Sequence, residues 1–344
     1  MSIRSESIID IFKKMLKNNK ITTIGGATRD IMFYTDDMVI IDNKKDLLRQ
    51  KLIGFEYGAK VYSEDVHFVF GGGGMNVAVG LASLGIRTQA ILSIGDDLVA
   101  KEILTYLQNK NVSTKLVQVQ QKLKTGTSSI INVGRFNEHV IFAYRGANNK
   151  IDLSQAIIKK INTPWLYLTS LSGNFKSGLD RLFEHCQNKK INIVWNPGSN
   201  QLKLGLKGLA RYMKTTAVFD VNRDEALELA MSVQANNTKN NINSLLRFLH
   251  QYGQKLTVIT DGHKGAYLYD GKKIYFRAAF KRKGINTTGA GDSFGSGLTA
   301  GLIKYKWDLE KSLKLGIMNS NSVIMKIGAQ VGLLSVKDLK KYNL

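Results

Sequence analysis

The second half of the chain alternates short apolar runs with stretches of helical periodicity, the runs being Trp165 to Thr169, Ile191 to Trp195, Ala217 to Asp220 and Leu256 to Thr260. Runs too short for helices and without polar alternation predict strands buried on both faces. The helical stretches between them predict a parallel sheet covered by helices. Two longer helical patterns follow, about Asp292 to Ile303 and Leu309 to Ile327. The first half has another rhythm. Residues about 6 to 18 place Ile8, Ile9, Ile11, Phe12, Met15 and Leu16 at helical spacing among lysines, which predicts an N-terminal amphipathic helix within residues 1 to 20. Ile21 to Gly26 reads as a buried strand ending in paired glycines. Met38 to Ile41, Ala59 to Tyr62 and Val66 to Phe70 read as short strands, the last two with one wet face. Asn76 to Leu84 and Leu98 to Gln108 read as helices flanking a strand from Thr88 to Ile94; Leu116 to Val119, Thr127 to Val133 and His139 to Tyr144 read as further strands. The pattern predicts one α/β domain over residues 21 to 344, with a small β sheet inserted from two segments, about 33 to 70 and 120 to 146.

Composition narrows the class. With 344 residues, 43% hydrophobic and 22% charged, the chain can bury a sizeable core and is not mostly disordered. No run approaches the 18 or so apolar residues of a membrane span, and Glu6 and Asp10 stand where a secretory leader needs a neutral stretch. A single cysteine, Cys186, excludes an internal disulfide and a cysteine zinc cage, which fits the reducing cytoplasm. The 49 Lys+Arg against 27 Asp+Glu give +22, which raises the question of a nucleic-acid partner. The basic residues are spread in small groups such as Lys159-Lys160, Lys189-Lys190 and Lys281-Arg282-Lys283, with no basic tail or aromatic platform. That spread reads as a solvated surface. A DNA affinity falling steeply with salt would mark the competing reading.

The sharpest candidate chemistry lies in Asn286-Thr287-Thr288-Gly289-Ala290-Gly291-Asp292, where glycines and a small residue open a helical run. N–H groups at a helix start lack intrahelical acceptors and face outward with the positive end of the dipole, so they suit a phosphate or a developing anion. Asp292 then reads in two ways. It is an ordinary first-turn acid, stabilising by tenths to about 1 kcal/mol, or a carboxylate that takes a proton from a hydroxyl while the amides stabilise a phosphoryl group in transit. Gly71-Gly72-Gly73-Gly74-Met75-Asn76, between a strand and a helix, suits close approach by a ligand or another backbone, or a hinge beside a lid. A dinucleotide fingerprint fails there because Asn76 or Val77 replaces its last glycine, and a P-loop fails at Gly284 to Gly289 because Ala290 and Gly291 follow. Thr260-Asp261-Gly262-His263-Lys264-Gly265 and Asn222-Arg223-Asp224-Glu225 each follow a buried strand, where ligands of open parallel sheets bind. A plain turn and a plain helix start explain them as well. None of the five histidines has metal-ligand spacing.

In chain order, these segments resemble the ribokinase-like (PfkB) family of sugar and nucleoside kinases over about residues 21 to 335. Gly71 to Asn76, with Ala78, Leu81, Ala82, Leu84 and Gly85, matches its first signature, and Thr287 to Gly297 its second. The resemblance implies a ribokinase-like α/β sandwich with a central mostly parallel sheet covered by helices and a small β-sheet lid. It implies an ATP-dependent, Mg²⁺-requiring kinase that phosphorylates a hydroxymethyl group of a sugar or nucleoside. By position, Asp292 matches the catalytic base and Gly289, Ala290 and Gly291 the anion hole. Asp30, Gly72 and Asn76 match acceptor contacts, while Asn222 and Glu225 match the motif near the nucleotide phosphates and, indirectly, Mg²⁺. Thr260, Gly262 and Gly265 match the loop lining the nucleotide, with Asn319 a further candidate. The family's lid often pairs with a second subunit, so a homodimer through the lid is expected. Two positions depart from the pattern. Asn286 replaces the usual Asp, which implies a weakened monovalent-cation site, and Arg29 beside Asp30 opens an anionic or phosphorylated acceptor. The alternative, a non-catalytic nucleotide-binding scaffold of the same fold, has no use for Asp292.

Overall fold

The computed structural model describes residues 19–43, 51–133, 138–234, 241–281 and 284–342. The amphipathic helix expected over 6 to 18 lies outside the described residues. The apolar runs assemble into one nine-stranded sheet ordered Ile274–Ala278, Gly265–Tyr269, Leu256–Thr260, Thr216–Asn222, Asn192–Trp195, Trp165–Leu168, Lys20–Ile24, Arg87–Ile91, Val112–Ser113. Every pair from Leu256–Thr260 onward is parallel; the first two strands join antiparallel at the edge.

Because strand side chains alternate, the sheet serves two cores. Ile24, Leu166, Leu168, Ile193, Trp195, Phe219 and Ile259 pack on one side with residues of the helices Lys176–Asn188, Gly205–Met213, Arg223–Met231 and Ile242–His250. Ile21, Trp165, Tyr167, Val194, Val218 and Val258 pack on the other with residues of Gly73–Ser83, Ala290–Lys304 and Leu309–Ile324. The layered α/β architecture read from the sequence is therefore present.

A second sheet, ordered Glu138–Tyr144, Gly126–Val133, Thr28–Thr35, Asp65–Gly71, stands apart as the small insertion. Its strand Thr28–Thr35 starts before the expected boundary near residue 33, so Asp30 belongs to it. Val39–Asp42 and Lys51–Gly54 pair separately, and residues 59 to 62 form no strand, contrary to expectation. The mixed run at 59 to 62 is exposed throughout and finds no partner strand. The helix expected to reach Ile327 ends at Ile324, whose carbonyl accepts the N–H groups of Ile285 (2.8 Å) and Asn286 (3.2 Å). That contact ties the loop before Gly289 to the end of the helix.

Candidate active site

The functional segments converge at the carboxyl ends of the parallel strands, the usual ligand crevice of such sheets. The glycine run is explained first by backbone contact. Gly74 lies so close to Gly25 that a Cβ on it would sit 2.7 Å from three Gly25 backbone atoms, and Met75 N–H donates to the Gly26 carbonyl at 3.1 Å. Gly72 caps the helix Gly73–Ser83 at φ 89°, where a Cβ would meet the Gly26 carbonyl at 2.5 Å. Of the uses open to these glycines, a second backbone occupies the space.

Two carboxylates flank the same run. A Cβ on Gly71 would overlap Asp30 Oδ2, and one on Gly73 would lie 3.3 Å from Asp292 Oδ1. Asp30 is buried, its Oδ1 has no hydrogen-bond partner, and burial pushes its carboxyl up against the opposing pull of the Thr28 and Ser128 hydroxyls. Asp292 sits in the first turn of Ala290–Lys304 and accepts a 2.8 Å hydrogen bond from Asn76 Nδ2. Burial raises its pKa, and the Asn76 bond partly opposes the rise.

Arg29 turns away from this corner. Neighbours on a strand face opposite sides, and Arg29 pairs with Glu102 while its guanidinium stacks 4.5 Å from the centre of Phe70. It gives no support to an anionic acceptor.

The helix start leaves backbone N–H groups unpaired. Gly289 adopts φ 77°, and a Cβ there would meet Ala329 Cβ at 2.4 Å, so only glycine fits. Ala290 N–H is taken by the Thr287 carbonyl and Ser293 N–H by that of Gly289; the N–H groups of Gly291 and Asp292 between them have no upstream intrahelical acceptor. Beside this start opens a cavity of about 410 Å³, lined by Thr260, Gly262, Gly265, Ala290, Gly291 and Asn321 among others. Asn319 is not among its lining residues. It is fully buried, donates to the Ser293 carbonyl (2.7 Å) and accepts Leu334 N–H (2.9 Å), so it locks the two long helices together. The neighbouring Ser320 and Asn321 line the cavity instead.

Asn222 and Glu225 form a reciprocal cap on Arg223–Met231, with Glu225 N–H to Asn222 Oδ1 at 2.9 Å and Asn222 N–H to Glu225 Oε2 at 2.8 Å. This leaves Glu225 Oε1 free of the cap. Sequence reasoning missed Asp220, a buried acid closing an apolar strand run; burial and the like charges of Glu225 and Asp292 push its carboxyl well up. It also missed Gln330, whose Nε2 donates to Asn76 Oδ1 at 2.8 Å. No local pattern marks a partner 254 residues away.

The pattern of the pfkB family carbohydrate kinases matches residues 36–335. An ATP-dependent 6-phosphofructokinase from Thermoanaerobacterium thermosaccharolyticum is 27% identical over 321 residues, 90% of this chain and 97% of that one. A ribokinase from Lactococcus lactis is 26% identical over 288 residues, 82% and 88% of the two chains. Among solved structures, a ribokinase from Thermotoga maritima superposes with a TM-score of 0.76 at 17% identity, covering 94% of this chain and 98% of that one. A nucleoside kinase from Burkholderia thailandensis in complex with inosine gives 0.76 at 16%, covering 94% and 97%. The two structures share the fold, and the family pattern spans most of the sequence: the chain belongs to the pfkB family of carbohydrate kinases.

Proposed function

We propose that this kinase transfers the γ-phosphoryl group of ATP to a hydroxymethyl group of a sugar or nucleoside, with Asp292 as general base. The observation that carries this reading is the Asn76–Asp292 hydrogen bond, which joins the acceptor side of the glycine run to the start of the anion-binding helix. The acceptor hydroxyl gives its proton to Asp292, a better proton acceptor for being buried, while the Gly289-Ala290-Gly291 start stabilises the charge on the group in transit. Asp30, with a buried oxygen lacking a protein partner, accepts hydrogen bonds from the acceptor's other hydroxyls, with Gly72 and Asn76 beside it. The nucleotide fills the cavity lined by Thr260, Gly262 and Gly265, its phosphates toward Asn222, the strand neighbour of Thr260. The ribokinase and phosphofructokinase relatives and the inosine complex of the nucleoside kinase support this acceptor class.

The Mg²⁺ that accompanies ATP falls near Glu225, whose Oε1 the helix cap leaves free. Among the described residues no three acidic, histidine or cysteine side chains are placed to ligate a metal directly, so Glu225 would hold the ion indirectly. When bound, the ion neutralises charge building on the phosphates.

The test is ATP consumption with Mg²⁺ over pentoses, hexoses, their phosphates and nucleosides. At least one of these acceptors is expected to stimulate ADP formation; no stimulation by any would overturn the reading. The same assay settles the monovalent cation. Asn286 is buried and its Oδ1 accepts Thr288 N–H at 2.9 Å, and it brings no negative charge to offset an ion. Replacing K⁺ by a bulky organic cation at constant ionic strength should lower turnover less than tenfold, about 1.4 kcal/mol; a larger drop would show a working ion site.

The lid supports a homodimer. Phe68 and Phe142, on its two edge strands, are 63% and 61% exposed, and unpaired edges with apolar side chains are liabilities that a second copy covers. Light scattering at micromolar concentration should give a dimer mass, reduced to a monomer by Phe68→Glu with Phe142→Glu. A fully active wild-type monomer would contradict it.

A further inference from the structure

We propose that Gln330 is a positioning residue for the base: it fixes which end of the Asn76 amide faces Asp292. The inference rests on Asp292 being the base, and it concerns a residue that touches neither acceptor nor nucleotide in that reading.

The argument is one of donors and acceptors along a chain of three side chains. An ionised carboxylate only accepts, so the Asn76 atom 2.8 Å from Asp292 must be its NH₂. The Asn76 carbonyl oxygen then faces the other way, toward Gln330, and needs a donor. Gln330 Nε2 supplies it at 2.8 Å. The Gln330 amide is itself oriented by the Phe70 carbonyl, 3.5 Å from the same nitrogen.

This order costs something. Gln330 is 9% exposed and its Oε1 is buried with no hydrogen-bond partner. An unpaired buried acceptor is unfavourable by about 1–3 kcal/mol. A purely structural glutamine would be expected to satisfy both ends of its amide; here one end is left unpaired while the other holds Asn76. The segment that carries it, between Gly328 (φ 99°) and Gly332 (φ 93°), is bent by two glycines that place Gln330 against the glycine run.

Without Gln330, nothing described holds the Asn76 oxygen, and the amide is free to turn that oxygen toward Asp292. The carboxylate then loses a donor and faces a dipole of the wrong sign, so it takes up a proton more readily. The other titratable groups around Asp292 are Asp220 and Tyr167 on neighbouring strands, with Glu225 beyond Asp220. None of them touches Gln330, so their influence stays constant through the substitution.

The experiment is the pH profile of kcat for Gln330→Met, which keeps length and volume and removes the amide. The acid limb is expected to move upward by about one pH unit, with a roughly tenfold loss below the midpoint and a high-pH plateau within about threefold of wild type. KM for ATP should not change. A uniform loss at every pH, or an unshifted profile, would overturn the proposal. If Gln330→Met does not fold, Gln330→Leu carries the same reading: it too lacks a donor for the Asn76 oxygen and adds no charge, so its acid limb must also move up. Asp292→Asn measured in parallel separates the two claims. Should it be inactive while neither Gln330 variant shifts the limb, the base assignment stands and the role of Gln330 alone falls; should it retain turnover, the base assignment itself falls.

Discussion

Asp292→Asn is expected to lower kcat by about 10²–10⁴, the usual contribution of a positioned general base. The substitution preserves shape and keeps an oxygen for the Asn76 NH₂, which donates to Asp292 Oδ2 at 2.8 Å. What it removes is the capacity to hold a proton. The Asp292 carboxyl is pushed up by burial, which is what a base working near neutral pH requires. The sign of the pH dependence follows. Below its raised pKa the wild-type carboxylate is protonated and turnover falls, whereas the residual rate of the variant should lack that acid limb. Nucleotide affinity is expected within about threefold of wild type, because the cavity is lined by Thr260, Gly262, Gly265, Ala290 and Gly291 rather than by this carboxylate. A calorimetric titration with ATP and a steady-state assay on the same preparation check both halves. Turnover near the wild-type level would remove Asp292 from the mechanism.

How much of this was legible in the sequence depends on the range of the forces involved. The strands Trp165–Leu168, Asn192–Trp195 and Leu256–Thr260 read directly, because a strand buried on both faces is mostly apolar rather than alternating. The edge strand Ile274–Ala278 did not, since a half-wet antiparallel edge mixes polar and apolar positions much as a loop does. Asn319 shows the limit on a helix. One residue turns about 100° around the axis, so whether residue 319, 320 or 321 faces a ligand is decided by how the helix packs; Asn319 faces Ser293 and Ser296. Arg29 and Asp30 show the same on a strand, where adjacent residues face opposite sides and their proximity in sequence implies no common task. Gln330 and Asp220 were invisible for a third reason. Their significance comes from contacts with Asn76 and from the charges of Glu225 and Asp292, which only the folded chain brings together.

Gly74→Ala and Gly291→Ala, compared side by side, separate glycines that serve the fold from glycines that serve the reaction. At Gly74 a Cβ would lie 2.7 Å from the N, Cα and carbonyl carbon of Gly25, and backbone atoms cannot swing aside as a flexible side chain can. The helix Gly73–Ser83 has to move off the Gly25-Gly26 turn, weakening the Met75 N–H bond to the Gly26 carbonyl and carrying Asn76 away from Asp292. Overpacking of this kind costs about 1–3 kcal/mol, and a displacement of about 1 Å at a catalytic group costs about 10² in rate. Gly74→Ala should therefore lower both the melting temperature and kcat. Gly291 is the opposite case: it sits in the first turn of Ala290–Lys304, its φ is ordinary, and a Cβ on it would meet nothing within 4 Å. Alanine there should leave the melting temperature unchanged or raise it, because Gly to Ala at a compatible position stabilises by about 0.4–1 kcal/mol. Its open side faces the cavity, however, so in the proposed reaction a methyl group would occupy the space through which the phosphoryl group passes. Activity is expected to fall by about tenfold or more without loss of stability, a loss of at least about 1.4 kcal/mol of transition-state stabilisation. Thermal unfolding and kcat measured on both variants decide the matter; a Gly291→Ala enzyme with full activity would show that the phosphoryl group travels elsewhere.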